Sequence, residues 1–91
     1  VLAMKMIIAI VNDEDSETVS HALTNASYRV TTIASTGGFL SRGLTTFLCA
    51  VEDEQLENAI SVMKTCYPPV TDEKLKKCKL FVMNVAEYHH F

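Results

Sequence analysis

The sequence predicts an α+β fold, a four-stranded antiparallel sheet with two helices on one of its faces. Three observations predict it. Apolar periodicity switches between the two-residue alternation of strands and the three-and-four spacing of helices in the order β-α-β-β-α-β. The first strand is apolar on both faces, as a strand covered on both sides must be. Gly37-Gly38 and Pro68-Pro69 break the chain where those periods change.

Taken in order, Met4 to Asn12 (MKMIIAIVN) is short, β-branched and followed by polar turn residues, so it reads as a strand. Ile7, Ala9 and Val11 point one way and Met6, Ile8 and Ile10 the other. Asp15-Ser16 can cap a helix whose Val19, Ala22, Leu23 and Ala26 share one face, with Glu17 in its first turn. Tyr28 to Ser35 (YRVTTIAS) has strand composition and ends at Thr36-Gly37-Gly38. Phe39 to Leu44 forms a loop, and Thr45 to Val51 (TTFLCAV) a third strand. A second helix starts at Glu52-Asp53, with Leu56, Ala59, Ile60 and Met63 apolar, and ends at Tyr67-Pro68-Pro69. Val70 to Cys78 is a charged connector, Lys79 to Val85 (KLFVMNV) a fourth strand, and Ala86 to Phe91 a terminal turn. With right-handed crossovers this order is ferredoxin-like.

The chain has 91 residues, enough for one small domain over 4–91; Met4 reads as the natural start, with residues 1–3 a cloning scar or variable extension. Eight Lys and Arg against eleven Asp and Glu leave a net charge of −3, which argues against a general nucleic-acid binder. The longest apolar run, Met6 to Val11, falls far short of the ~20 residues that cross a bilayer. The expected location is cytoplasmic, without membrane insertion. Two helices cover only one sheet face, yet strands one and three are apolar on both. A monomer would expose more apolar surface than soluble monomers usually tolerate, so association of copies is expected.

Catalytic constellations are absent: there is no G-x-S-x-G, no phosphate-binding loop, and no histidine pair with a placed carboxylate. Cys49, Cys66 and Cys78 lack zinc-ligand spacing and read as reduced apolar fillers; a redox switch between Cys66 and Cys78 is the alternative, with no sequence feature behind it. His89 and His90 are adjacent, so they diverge on a strand or a helix and do not converge on a metal. Asp13-Glu14-Asp15 reads as a turn and helix start. Lys74, Lys76, Lys77 and Lys79 read as a solvated connector able to draw an anion to a nearby cleft.

The segment Tyr28 to Phe47 (YRVTTIASTGGFLSRGLTTF) carries a different signal. Arg29 and Thr31 are two apart on a predicted strand and so share a face. That strand runs into Gly37-Gly38, where open backbone lets a ligand approach, and then into Phe39. Guanidinium, hydroxyl, main-chain groups and an aromatic plate suit a nucleotide. A plainer reading makes Arg29 a surface charge, the glycines a turn and Phe39 a core plug.

MKMIIAIVNDED, TTIASTGGFLSRGLTTFLC and FVMNVAEYHHF closely resemble the PII-like cyclic di-AMP receptors of Gram-positive bacteria, over nearly the whole chain from Met4. The resemblance implies a ferredoxin-like subunit in a homotrimer with sheets facing inward, three nucleotide sites between subunits, and no catalysis, cofactor or metal. Its ligand contacts fall on Arg29, Thr31, Gly38, Phe39, Leu40 and Phe81, with Gly37 beside them. Ser27 stands where the family pattern has Asn, and His90 where it has Gln; the connector after the second helix is also shorter than the family's long loop. The implied function is signalling to an unidentified protein target through loops 37–44 and 67–78. The alternative is a PII-like trimer that binds another adenine nucleotide or serves purely as a protein-interaction module.

Overall fold

The structure, a computed structural model, describes residues 3–33, 43–68 and 78–91. Its elements are β1 (Met4–Asn12), α1 (Asp13–Asn25), β2 (Thr31–Ile33), β3 (Leu44–Glu52), α2 (Leu56–Lys64) and β4 (Cys78–Asn84), with a single 3-10 turn, Asp53–Gln55, leading into α2. Strand order is β2-β3-β1-β4, and every neighbouring pair is antiparallel. This is the expected ferredoxin-like sheet.

The core fills the space between the sheet and the helices. Ile7, Ala9 and Val11 of β1 lie beside Cys49, Phe47 and Thr45 of β3 in the ladder. Val19 and Leu23 of α1 and Ala59 and Met63 of α2 close over them, all fully or nearly fully buried. Two-residue alternation in the strands and three-to-four spacing in the helices therefore meet on one apolar layer.

α1 starts at Asp13, two residues before the expected cap at Asp15-Ser16, because partners from β3 hold its first turn. The Asp13 N–H donates to the Gly43 carbonyl at 2.7 Å, and the Thr45 hydroxyl donates to Asp13 Oδ1. Gly43 enters β3 at φ +81, a left-handed conformation that favours glycine. Ser16 falls inside the first turn, its hydroxyl donating to the Asp13 carbonyl at 2.9 Å. Asp13, Glu14 and Asp15 occupy that turn, where negative charge suits the helix dipole.

The other end of α1 explains why β2 is short. The Tyr28 N–H donates to the Leu23 carbonyl at 3.0 Å and the Ser27 N–H to the Thr24 carbonyl at 2.9 Å. Those two bonds, with Ser27 at φ 71, make a Schellman cap whose apolar partners are Leu23 and Tyr28. Tyr28 is buried, and Asn58 Nδ2 donates to its hydroxyl at 2.6 Å. The expected strand over Tyr28 to Ser35 thus gives up its first residues to the cap, and pairing begins at Thr31. Residues 34 and 35 lie outside the described residues.

β3 and β4 come within one residue of their expected bounds, and α2 ends at Lys64, before the prolines. After β4, residues 85–91 form neither helix nor strand.

Ser27 holds a backbone conformation that L-residues disfavour by ~1–2 kcal/mol. Glycine relieves that at an entropic cost of ~0.5–1 kcal/mol, so Ser27→Gly is expected to stabilise the protein by about 0.5 kcal/mol. Ser27→Val, β-branched at positive φ, is expected to destabilise it by more than 1 kcal/mol, roughly the left-handed penalty. Chemical denaturation of the pair checks both signs.

Candidate functional site

Ladder partners face the same side of a sheet, so the registers can be read as rows. Thr31 pairs with Leu48, Leu48 with Ile8, and Ile8 with Phe81. One row therefore crosses all four strands on the face away from the helices. Ile33, Thr46, Ile10 and Lys79 make the next row, and Ala50, Met6 and Met83 the row on the other side.

This open face is mostly apolar. Met6, Ile8, Ile10, Leu48 and Ala50 are only half-buried, while Ile33 is 38% exposed, Phe81 54% and Met83 55%. The helix face shows the contrast, with Phe47 at 1%. Neither described helix covers the second face, although its apolar character calls for cover.

Of the residues singled out in the sequence, Thr31 and Phe81 share the open face at opposite edges. Three strand spacings separate them, about 14 Å. Arg29 is exposed and lies in the segment ahead of β2, so the strand alternation that would align it with Thr31 does not yet apply. Ser27 is exposed at the α1 cap, where its backbone conformation gives it a structural role. His90 is exposed in the C-terminal tail, its ring 6.4 Å from that of Tyr88 at 49°. His89 stacks with Phe91 at 12° and places Nε2 3.6 Å from Glu87 Oε1. Gly37, Gly38, Phe39 and Leu40 lie outside the described residues.

Two further residues belong with this face. Lys79, read from sequence as part of a solvated connector, is in β4 and lies two residues from Phe81 on the same side. Its ammonium adds a cation at that edge. The two-residue spacing Lys79-x-Phe81 was the available signal. Thr46 is buried, and its hydroxyl has no hydrogen-bond partner among the described residues; the cross-strand register identifies its neighbours as Ile33 and Ile10.

The described residues thus provide hydroxyl, cationic and aromatic groups around an apolar sheet, a set suited to binding. Among the described residues, no group of three or more His, Cys, Asp or Glu is arranged to hold a metal ion. No described helix is long and apolar enough to cross a membrane.

Comparison with known proteins agrees with this fold. Residues 4–72 match a family described as cyclic-di-AMP receptor. A functionally unknown protein from Pediococcus pentosaceus ATCC 25745 aligns over 100% of both chains, at 27% identity and a TM-score of 0.80. CPII, a nitrogen regulatory PII-like protein from Thiomonas intermedia K12 bound to ADP, AMP and bicarbonate, aligns over 98% of this chain and 97% of its own, at 15% identity and a TM-score of 0.71. Arabidopsis thaliana PII bound to citrate aligns over 92% of this chain and 78% of its own, at 20% identity and a TM-score of 0.65. The PII relationship holds at the level of fold.

Burial separates the roles of the two phenylalanines. Phe47→Ala is expected to cost ~3–5 kcal/mol at every protein concentration, as for other fully buried aromatics. Any loss from Phe81→Ala is expected to depend on protein concentration, because one copy leaves that ring half in water. Denaturant midpoints measured across a dilution series check the difference.

Proposed function

The chain belongs to the cyclic-di-AMP receptor family, and from that premise we propose that it binds cyclic di-AMP as a homotrimer, in clefts between neighbouring subunits. Binding is the whole of its chemistry in this reading, with no catalysis and no cofactor. The occupied or empty state is passed to a protein target through the loops at 37–44 and 67–78.

The row Thr31–Leu48–Ile8–Phe81 is the observation that carries the reading. In one copy, Leu48 and Ile8 stand between the two candidate contacts on an apolar surface that calls for burial. One ligand meets both ends of the row when the β2 edge of one copy comes beside the β4 edge of another. Closing three open faces around a common axis covers that surface and creates three such seams.

In each seam, Arg29 offsets phosphate charge and Lys79 adds a second cation. Thr31 hydrogen-bonds, Gly38 to Leu40, with Gly37 beside them, supply main-chain groups and a wall, and Phe39 stacks on a base. Phe81 lines the base pocket from the second subunit, with Ser27 and His90 at the rim. Stacking contributes ~1–3 kcal/mol per base and a charge-assisted hydrogen bond ~1.5–3 kcal/mol. Those magnitudes bring a micromolar site within reach of a few contacts.

A second reading rests on Ser27 and His90, which differ from the family's Asn and Gln: the trimer takes another adenine nucleotide, or a protein alone. Sedimentation followed by calorimetry with cyclic di-AMP, ATP, ADP and AMP separates the two. A trimer that releases heat with cyclic di-AMP supports the first, a trimer responding only to a mononucleotide or to none of the four supports the second, and a lone subunit removes both. Arg29→Ala is expected to weaken cyclic di-AMP binding at least tenfold, about 1.5 kcal/mol, without changing the sedimentation coefficient. Unchanged affinity would place Arg29 outside the site.

A further inference from the structure

Cys66 and Cys78 both lie at one end of the sheet on its helix side. Cys78 opens β4 and pairs with Val11 at the end of β1, directly before α1 begins. Cys66 lies in the turn that follows α2, its N–H donating to the Met63 carbonyl at 3.1 Å. Its thiol approaches the Val62 carbonyl at 3.7 Å. Both side chains, with Tyr67 between them in sequence, pack against the same buried core. α1 and α2 run antiparallel over antiparallel strands, so the end of α2, the start of α1 and the start of β4 share one end of the sheet.

Both thiols are half-buried. Asp15 Oδ2 and the Tyr67 hydroxyl are buried there without a hydrogen-bond partner among the described residues. Burial raises both thiols above the ordinary cysteine range; at Cys66 a hydrogen bond with Thr65 opposes this in part, and the Asp15 carboxylate raises both further. A charge on Cys66 also raises Cys78, and charges on both thiols and on Asp15 add to the burial that raises Tyr67. The four groups are thus within electrostatic reach of one another. Cys49, by contrast, is buried in the middle of the sheet.

We infer that Cys66 and Cys78 form a redox-sensitive thiol pair that closes to a disulfide by exchange with a small disulfide such as oxidised glutathione, fastening the end of α2 to the start of β4. In the first step one cysteine loses its proton and its thiolate attacks a glutathione sulfur. The glutathione S–S bond breaks, one glutathione leaves as thiolate and takes up a proton, and a mixed disulfide remains on the protein. The second cysteine, deprotonated in turn, attacks the protein sulfur of that mixed disulfide and expels the other glutathione. Two protein thiols are oxidised to one disulfide while one glutathione disulfide is reduced to two thiols. Because raised thiols hold few thiolates at neutral pH, exchange is slow there and speeds up as pH rises. The pair is on the opposite side of the sheet from Thr31 and Phe81, so its chemistry stands apart from nucleotide binding.

Intact-mass spectrometry of the native full chain in oxidised glutathione, from about pH 7.5 to about pH 9, tests this. The expected product has lost two hydrogens, yields one linked peptide containing Cys66 and Cys78, keeps the Cys49 thiol, and forms faster at the higher pH. Cys66→Ser is expected to stop at a glutathione adduct on Cys78, and Cys49→Ser to behave as the unaltered chain does. A lasting glutathione adduct on the unaltered chain, a linkage involving Cys49, a linkage between subunits, or no oxidation at either pH would each overturn the inference.

Discussion

Everything in this fold follows from a central strand that is apolar on both sides. β1 lies between β3 and β4, and its alternating residues serve two surfaces at once. Ile7, Ala9 and Val11 seal the layer under the helices, leaving almost no exposed area. Met6, Ile8 and Ile10 give the other face the same character with no described helix to cover it. A βαββαβ chain has only two helices, and right-handed crossovers put both on one side. Neither described helix buries the second face, and at ~25 cal/mol per Å² of apolar area the drive to cover it is large.

The same geometry determines where a ligand can bind. A polar ligand is poorly served by the middle of an apolar sheet, and well served by edges where cations and hydroxyls replace aliphatic groups. Here the edges differ. β2 brings Thr31, with Arg29 ahead of it; β4 brings Lys79 and Phe81. The Schellman cap at Ser27 and the buried Tyr28, held by Asn58, anchor the chain just before Arg29. The exposed segment therefore leaves from a fixed base, which limits its conformational freedom.

Much of the fold could be read from the residues because its signals are local. β1 has the bounds that MKMIIAIVN suggests, and β3 extends one residue beyond TTFLCAV at each end. Local signals misjudge the start of α1, since its first N–H is satisfied by Gly43 and its first carboxylate by Thr45, both more than two dozen residues away. They overextend β2 because Tyr28 looks like a strand residue and acts as the apolar partner of a helix cap. For the candidate site, the residue types were readable around Arg29, Thr31 and Phe81, but the cross-sheet row was not. Register depends on long-range pairing, and neither the Thr31–Phe81 separation nor the place of Lys79 beside Phe81 exists until the ladder is known. The proximity of Cys66 and Cys78 is hidden for the same reason.

The two ends of the sheet are built differently. At one, Lys5 donates to Asn84 and lies 3.6 Å from Asp53, while the Asp53 and Val85 N–H groups donate to the Ala3 and Met4 carbonyls. Side-chain and main-chain bonds tie β1, β4 and the entry to α2 together there. At the other end β2 hands over to β3 and α2 to β4, and the segments carrying Gly37 to Leu40 and the connector begin. There the chain is held by the Asp13 contacts and by the apolar packing of Cys66, Tyr67 and Cys78. A fixed end gives the sheet a constant register. The strands that carry Thr31 and Phe81 are held at that fixed end by β1, to which β4 is tied directly and β2 through β3.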